Sequence, residues 1–525
     1  MNGEPAPTEI AEWHPSVNPW LIAGAVMLAT FMEVLDTTIV SVALPNMAGS
    51  LASTNEEATW VLTSYLVANA VVLPASGWFS LRFGRKRFLL ICTALFTFAS
   101  FLCAIAPSMP VLVLARILQG AGGGALQPLS QAILLESFPR EKQGMAMAMF
   151  GLGVVGAPII GPYLGGWLTD NYTWRWVFNI NIPIGVLAIY LMARFVEDPP
   201  YIKNSRPGTI DGIGFGLLTV WLATLQIVLD KGQQEDWFAS TWIAWFSIIS
   251  VGALVALVFR ELRTPEPIVD LHAFMDRNFW VGTLETTVLM AGMYSALAML
   301  PLFLQTLLGY TAQNAGVATA PRGIGAMIAM PIVGLLMSYI DGRWLMAAGI
   351  ACIASATLMF GNLTLDVGMA NIVWPNLLKG AGIGLVMVPL MAMSVGTLPK
   401  HKIGNATGIF NLMRNLGGSI GISVSTTYLA RMAQAHQVDL VGHMTPYDPV
   451  FQHSLTSFTA GLGQMSGAPQ APAQAYGVLH GLLLQQASLQ GYVDMFRWTA
   501  LIMALCLPGV LLIRKTGSKG SVMVH

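Results

Sequence analysis

The sequence predicts an all-α integral membrane protein of fourteen spans. Two six-helix bundles related by a pseudo-two-fold axis are expected, with two further transmembrane helices inserted between them. Three observations carry that expectation. Of 525 residues, 55% are hydrophobic and only 10% charged, whereas a soluble domain carries about 25% charged residues to coat its surface. Apolar windows long enough to cross a bilayer as a helix recur fourteen times. Blocks of sequence also repeat at one fixed offset.

The first seven windows lie near 19–43, 58–80, 88–106, 111–135, 145–168, 175–195 and 211–229. The other seven lie near 240–260, 279–307, 315–339, 344–362, 371–396, 404–430 and 492–513. Basic residues provide a test independent of hydropathy. Arg82, Arg85, Lys86, Arg87, Arg140, Lys142, Arg194, Lys203, Arg206, Arg260, Arg263, Arg277, Arg343, Lys400, Lys402, Arg514, Lys515 and Lys519 fall in every second loop or the C-terminal tail. The opposite loops hold little beyond Lys231, Arg431, Arg175 and Arg497. Cytoplasmic loops carry the excess of Lys and Arg, so both termini are expected in the cytoplasm, which requires an even span count. The N-terminal stretch lacks a basic n-region and a cleavage signature, and reads as a retained cytoplasmic segment, 1–18.

The repeat has an offset of 260 residues: "ARILQGAGGGALQPLS" (115–130) returns as "PNLLKGAGIGLVMVPL" (375–390), and "FPREKQGMAMAMF" (138–150) as "LPKHKIGNATGIF" (398–410). Two halves of the same sense mark a transporter core with a central substrate site. The halves are therefore 19–195 and 266–513, the inserted helices lie within 196–265 at the periphery, and 514–525 is a cytoplasmic tail. A mostly polar stretch, 432–491, is expected as a long periplasmic loop, either a disordered connector or a docking surface.

Several residues are out of place in oil. Span 1 carries Glu33 and Asp36, and a carboxylate at the bilayer centre costs about 2.5–3.5 kcal/mol on insertion scales. Three residues apart, they lie on adjacent sectors of one helical face, where two carboxyls raise the proton affinity of at least one. Arg116 in span 4, with Gln119 one turn on, needs an anion, a carbonyl or water unless it snorkels. Pairing with the acids of span 1 is the favoured reading. Span 5 places Gly156, Gly161, Gly165 and Gly166 for close helix packing, and Pro162 for a kink. Between spans 2 and 3, "GWFSLRFGRKRFL" sets Gly77, Gly84, Arg85, Lys86 and Arg87 in a tight turn suited to a helix C-terminus and anionic headgroups.

Those stretches resemble signatures of the major facilitator superfamily. The loop between spans 2 and 3 resembles its gating loop, although Leu81 stands where the family has aspartate; the second-half counterpart keeps Asp341. "LVLARILQGAGGG" resembles the span 4 signature whose arginine is implicated in proton transfer. "GAPIIGPYLGG" resembles the motif of drug–proton antiporters, and "LDTTIVSVALP" that of the fourteen-span members. "WRWVFNINIPIG", "DWF" and "PIVDLHAFMDRNF" look like further landmarks, and the EmrB type is the best match. The resemblance implies a multi-pass protein of the bacterial inner membrane that takes up protons and exports amphipathic compounds, working with a periplasmic adaptor and an outer-membrane channel. It implies a proton-coupling role for Asp36 and Arg116. Glu33 stays open: binding of a cationic substrate, a shared proton, or a lipid-excluded bystander.

The cycle expected is one in which an acid is protonated after outward release, reorientation delivers the proton inward, and drug binding displaces it. In the second half Arg322, Lys379 and Arg414 are further candidates; Arg414 is open to an anionic substrate or to pairing with an acid, Glu285 being one possibility. Arg322 can alternatively snorkel. The 29 methionines suit an adaptable cavity. Tyr65, Asn69, Trp60, Gln127, Gln131, Tyr294, Met293 and Asn411 are expected on its wall. A metabolite, siderophore or fatty-acid exporter on the same scaffold is the alternative. Four cysteines lie in apolar stretches without metal-ligand spacing, and no nucleophile–base set, paired-histidine motif or phosphate loop appears. An enzyme, a resident cofactor and a nucleic-acid partner are accordingly not expected, the last because the net charge is zero.

Overall fold

The computed structural model describes residues 15–139, 142–199, 202, 211–264, 267–399, 402–466 and 470–514. Helix accounts for 83% of the structure, with no strand among the described residues. In the membrane each backbone amide must be satisfied within its own segment, and a helix does this.

The first half comprises α1 (Pro19–Ser50), α2 (Asn55–Phe83), α3 (Arg85–Ala104), α4 (Met109–Ser137, with a turn at 124–125), α5 (Gln143–Asn171) and α6 (Trp176–Phe195). The inserted pair is α7 (Gly212–Lys231) and α8 (Thr241–Glu261). The second half comprises α9 (Arg277–Thr306), α10 (Asn314–Leu336), α11 (Gly342–Phe360), α12 (Ala370–Val395), α13 (Ile403–Val441), α14 (Pro449–Ser466) and α15 (Ala471–Val510).

Local sequence sets the ends. Asn18 caps α1 by accepting from the Trp20 amide at 3.0 Å, just before Pro19. Thr54 and Glu57 cap α2 reciprocally, at 3.1 and 3.0 Å. The tight turn into α3 passes through Gly84 at φ +84°, a left-handed conformation that a Cβ would strain.

The halves pack by the same rules. α1 lies on α5 as α9 lies on α13; α2 lies on α4 as α10 lies on α12; and α3 contacts α4 and α6 as α11 contacts α12 and α15. The sequence repeat is thus a repeat of helix pairings. α7 packs on α8 and α2, and only 28% and 22% of the apolar windows of α7 and α8 are buried. Low burial leaves their apolar surfaces for lipid.

By length and composition, thirteen helices among the described residues can cross a membrane. The expected thirteenth span, 404–430, lies in α13, which is 39 residues long but is not among them. Asn405, Asn411, Arg414 and Asn415 and a run of small polar residues lower its hydropathy. α13 packs against α2, α4, α9 and α15, so little of its girth needs to face lipid.

The stretch 432–491 differs from the disordered connector. α13 continues through it to Val441, α14 packs on α15, and α15 begins at Ala471. Its polarity marks helix surface beyond the apolar zone, and only residues 467–469 within it lie outside the described residues.

Where α2 and α5 of the first half meet α13 and α10 of the second, glycines bring backbones together. A Cβ on Gly77 would lie 2.7 Å from the Asn405 Cα, and one on Gly144 would lie 3.3 Å from the Gly334 carbonyl oxygen. These contacts join the halves at the end where α2 finishes and α5 begins. Toward the opposite end the halves diverge around a cavity.

Candidate functional site

Asp36 is 0% exposed on α1. Its Oδ2 meets Arg116 Nη1 at 2.5 Å, while Oδ1 accepts from Gln119 Nε2 at 2.9 Å and Asn181 Nδ2 at 2.7 Å. Arg116, also fully buried, donates from Nε to the Val61 carbonyl at 2.9 Å and from Nη1 to Gln119 Oε1 at 2.7 Å. Its guanidinium sits 4.2 Å from the Tyr65 ring centroid. Ser100 accepts from Gln119 at 2.7 Å and closes the cluster. Snorkelling of Arg116 is therefore excluded: the charge is turned inward and neutralised by an acid from another helix.

Glu33, 4% exposed, has a separate cage. Oε1 accepts from Tyr65 Oη at 3.2 Å and Asn69 Nδ2 at 3.1 Å, and Oε2 from Gln127 Nε2 at 2.6 Å. Gln127 in turn accepts a hydrogen bond from Arg414 of α13. Tyr65, Asn69 and Gln127 were expected on the cavity wall; they close on Glu33 instead, because a buried carboxylate requires donors. Arg414 thus joins the Glu33 cluster and not Glu285, which lies beside Gly509 and Cys506 at another face. The two acids have no common donor. Tyr65 connects them, with its ring on Arg116 and its hydroxyl on Glu33.

The cavity between the halves holds about 800 Å³ and is lined by Gln131, Met293, Tyr294 and Arg414, and by Arg322 and Lys379. Its mouth carries the exposed Tyr163 and Asp170, at the end where α5 finishes. Asn411 lies behind the wall and donates to Gln131 Oε1 at 2.6 Å across the two halves. Trp60 lies against Lys231, 5.6 Å from its Nζ, and does not line the cavity.

The span 5 glycines separate into two groups. A Cβ on Gly161 would lie 2.1 Å from Thr38 Oγ1 and one on Gly165 2.9 Å from the Ile39 carbonyl oxygen, so both admit α1, the helix that carries Asp36. Gly156 and Gly166 face open space, Gly166 along the cavity. The side chain of Pro162 lies outside the described residues.

In the loop from Gly77 to Leu89, Arg85 is not a headgroup contact. It is buried in an ion pair with Glu136 at the end of α4. Asp198 accepts from the Lys86 amide at 2.8 Å and fills the space beside Gly84. Arg87 is exposed. In the second half Asp341 pairs with Arg343 at 2.8 Å.

Sequence reasoning missed Ser100, Asn181, Glu136 and Asp198. Asn181 lay in the quoted "WRWVFNINIPIG", where its polarity between apolar neighbours was the available signal. No group of three or more His, Cys, Asp or Glu that could hold a metal occurs among the described residues.

Residues 26–422 match the family model of the Major Facilitator Superfamily. The Multidrug export protein EmrB of Haemophilus influenzae is 37% identical over 478 residues, 90% of this chain and 90% of that protein. The Fatty acid resistance protein FarB of Neisseria gonorrhoeae is 36% identical over 489 residues, 92% of this chain and 94% of that one. The solved structure of the proton:xylose symporter XylE superposes with a TM-score of 0.58 at 14% identity, covering 92% of this chain and 95% of the other, which shows a shared fold. With thirteen helices among the described residues long and apolar enough to cross a membrane, a repeated helix pairing and this family match, the chain belongs to the Major Facilitator Superfamily and is a transporter.

Proposed function

We propose that this chain is a proton-driven antiporter that exports amphipathic compounds across the bacterial inner membrane by alternating access. In this reading it needs no resident cofactor, and it serves as the pump of a tripartite system with a periplasmic adaptor and an outer-membrane channel. The likeness to multidrug export proteins supports the cargo class. One observation carries the coupling: Asp36 and Arg116 form a fully buried ion pair, linked to the cavity-lining Arg414 through Tyr65, Glu33 and Gln127.

Protonating Asp36 removes the negative partner of Arg116. Breaking a buried pair costs about 3–5 kcal/mol, and a shift of about 5.5 kcal/mol suffices to invert a 1:99 equilibrium between two conformations. The proton thus supplies a large part of the energy that moves the halves between states. Arg116 keeps the Val61 carbonyl and the Tyr65 ring when Asp36 is neutral, so it holds its position for the return step. With both termini cytoplasmic and fourteen spans, the mouth at Tyr163 and Asp170 faces outward, and the glycine contacts at Gly77 and Gly144 form the closed inner gate.

The second reading is export of a specific metabolite, siderophore or fatty acid on the same scaffold. The likeness to a fatty acid resistance protein and the cations of the cavity favour it.

The test is export from proteoliposomes under an imposed pH gradient. Substrate leaving as protons enter is the expected result, lost in Asp36→Asn. Movement of substrate and protons in the same direction overturns antiport. Retention of an adaptor with the purified pump tests the tripartite assembly, and a compound panel separates the two cargo readings.

A further inference from the structure

Three buried cations are satisfied: Arg116 by Asp36, Arg85 by Glu136, and Lys231 by hydrogen bonds to Thr59 and Gln234. Two cations of the cavity are not. Lys379 on α12 is 2% exposed and Arg322 on α10 is half-buried, and both line the cavity. Neither has a carboxylate partner or donates a hydrogen bond to another described residue. Lys379 also lies within the field of Arg322. Two like charges in a low-dielectric setting without a counter-charge are costly.

The backbone brings them together. A Cβ on Gly380 would lie 1.9 Å from the Arg322 carbonyl oxygen, and one on Gly325 2.3 Å from that of Leu377. α10 and α12 therefore touch at the positions that carry the two cations, which holds the charges in a fixed relation. Beside them the cavity presents Met293, Met330, Ile383 and Met387, an apolar and adaptable surface.

We propose that Arg322 and Lys379 form an anion subsite, which takes the carboxylate or sulfonate head of a lipophilic organic anion while its tail lies on the methionine-lined wall. This deepens the export reading and rests on it for the statement that the bound anion is cargo. The bound head supplies the counter-charge that the protein omits. A lipophilic neutral compound has no use for the two charges, and a cation is repelled by them. Outward movement of an anion and inward movement of a proton both carry positive charge inward, so an inside-negative potential drives the two together.

The test uses the full chain in phosphatidylcholine nanodiscs, with dansyl-undecanoate as probe, its methyl ester as neutral control and tetraphenylphosphonium as cation. The acid should bind at least roughly tenfold tighter than its ester, as expected for a desolvated charge pair. Lys379→Gln and Arg322→Gln should each remove most of that difference while leaving the ester unchanged. Lys379→Arg should keep it, and Lys379→Glu should bring in tetraphenylphosphonium. Equal binding of acid and ester, or a loss common to both in the glutamine variants, overturns the subsite. Displacement of the probe by added phosphatidylglycerol assigns the cations to a lipid headgroup and overturns the cargo assignment. Should proteoliposomes show no pH-driven export while acid still exceeds ester, antiport fails and the anion subsite stands.

Discussion

Arg116 reaches Asp36 at 2.5 Å across a chain separation of 80 residues, with both side chains fully buried. The contact ties α4 to α1 through a fully buried pair of opposite charges.

Asp36→Asn should abolish proton-linked export in proteoliposomes and lower the thermal unfolding temperature, since Arg116 is left buried without an anion, a loss of about 3–5 kcal/mol. The double variant Asp36→Asn with Arg116→Gln should regain part of that stability without regaining export. Restored coupling in the double variant would show that the pair is structural.

Gly161 admits α1 at Thr38. Gly161→Ala places a Cβ 2.1 Å from Thr38 Oγ1, and such overpacking costs about 1–3 kcal/mol. Thr38→Ala should recover much of the loss. The readout is thermal unfolding of the purified protein, and additivity of the two substitutions would contradict the proposed clash.

The halves approach backbone to backbone at Gly77 and Gly144, the contacts proposed as the inner gate. Leucine at either position should keep the halves apart at that end, while the outer mouth closes. Cysteines introduced at Gly404 and at Tyr163 provide the readout: labelling should rise at the first and fall at the second. Unchanged labelling at both positions would show that the glycines are not part of a gate.

Asp270, in the segment between α8 and α9, pairs with Lys402 at 2.9 Å and with His272 at 2.9 Å. Burial pushes its carboxyl up, but the hydrogen bonds from Lys402 and His272 outweigh this and hold it below its ordinary 3.8. A depressed carboxyl contributes stability that is present above its unfolded value and is lost as pH falls through its folded value. Stability should therefore decline below about pH 4, and Lys402→Met should flatten that limb. Thermal unfolding from about pH 3 to 6 measures it; an unaltered acid limb in Lys402→Met would show that the Asp270–Lys402 pair does not set the acid dependence.

Much of the site was legible as chemistry and little of it as geometry. Asp36, Glu33 and Arg116 were conspicuous because charge in an apolar span has few innocent explanations. Tyr65, Asn69 and Gln127 were equally visible as polar residues in core spans, but which surface each faces depends on helix rotation. The sequence reading put them on the cavity wall; in the structure they satisfy Glu33. Arg85 shows the same limit: the topology rule places it near the membrane surface, but only packing reveals that Glu136 turns it inward.

Hydropathy determined the helical membrane class, and the 260-residue repeat determined the paired halves, because bilayer thickness and backbone satisfaction leave few solutions. Tertiary structure decided the helical course of 432–491, the separation of the two acids into different cages, and the placing of Arg322 and Lys379 along one cavity. Those outcomes depend on interhelical crossings set by glycine contacts and on the donors available at each crossing. Such contacts join residues far apart in the chain, and a pattern read within one helix does not contain them.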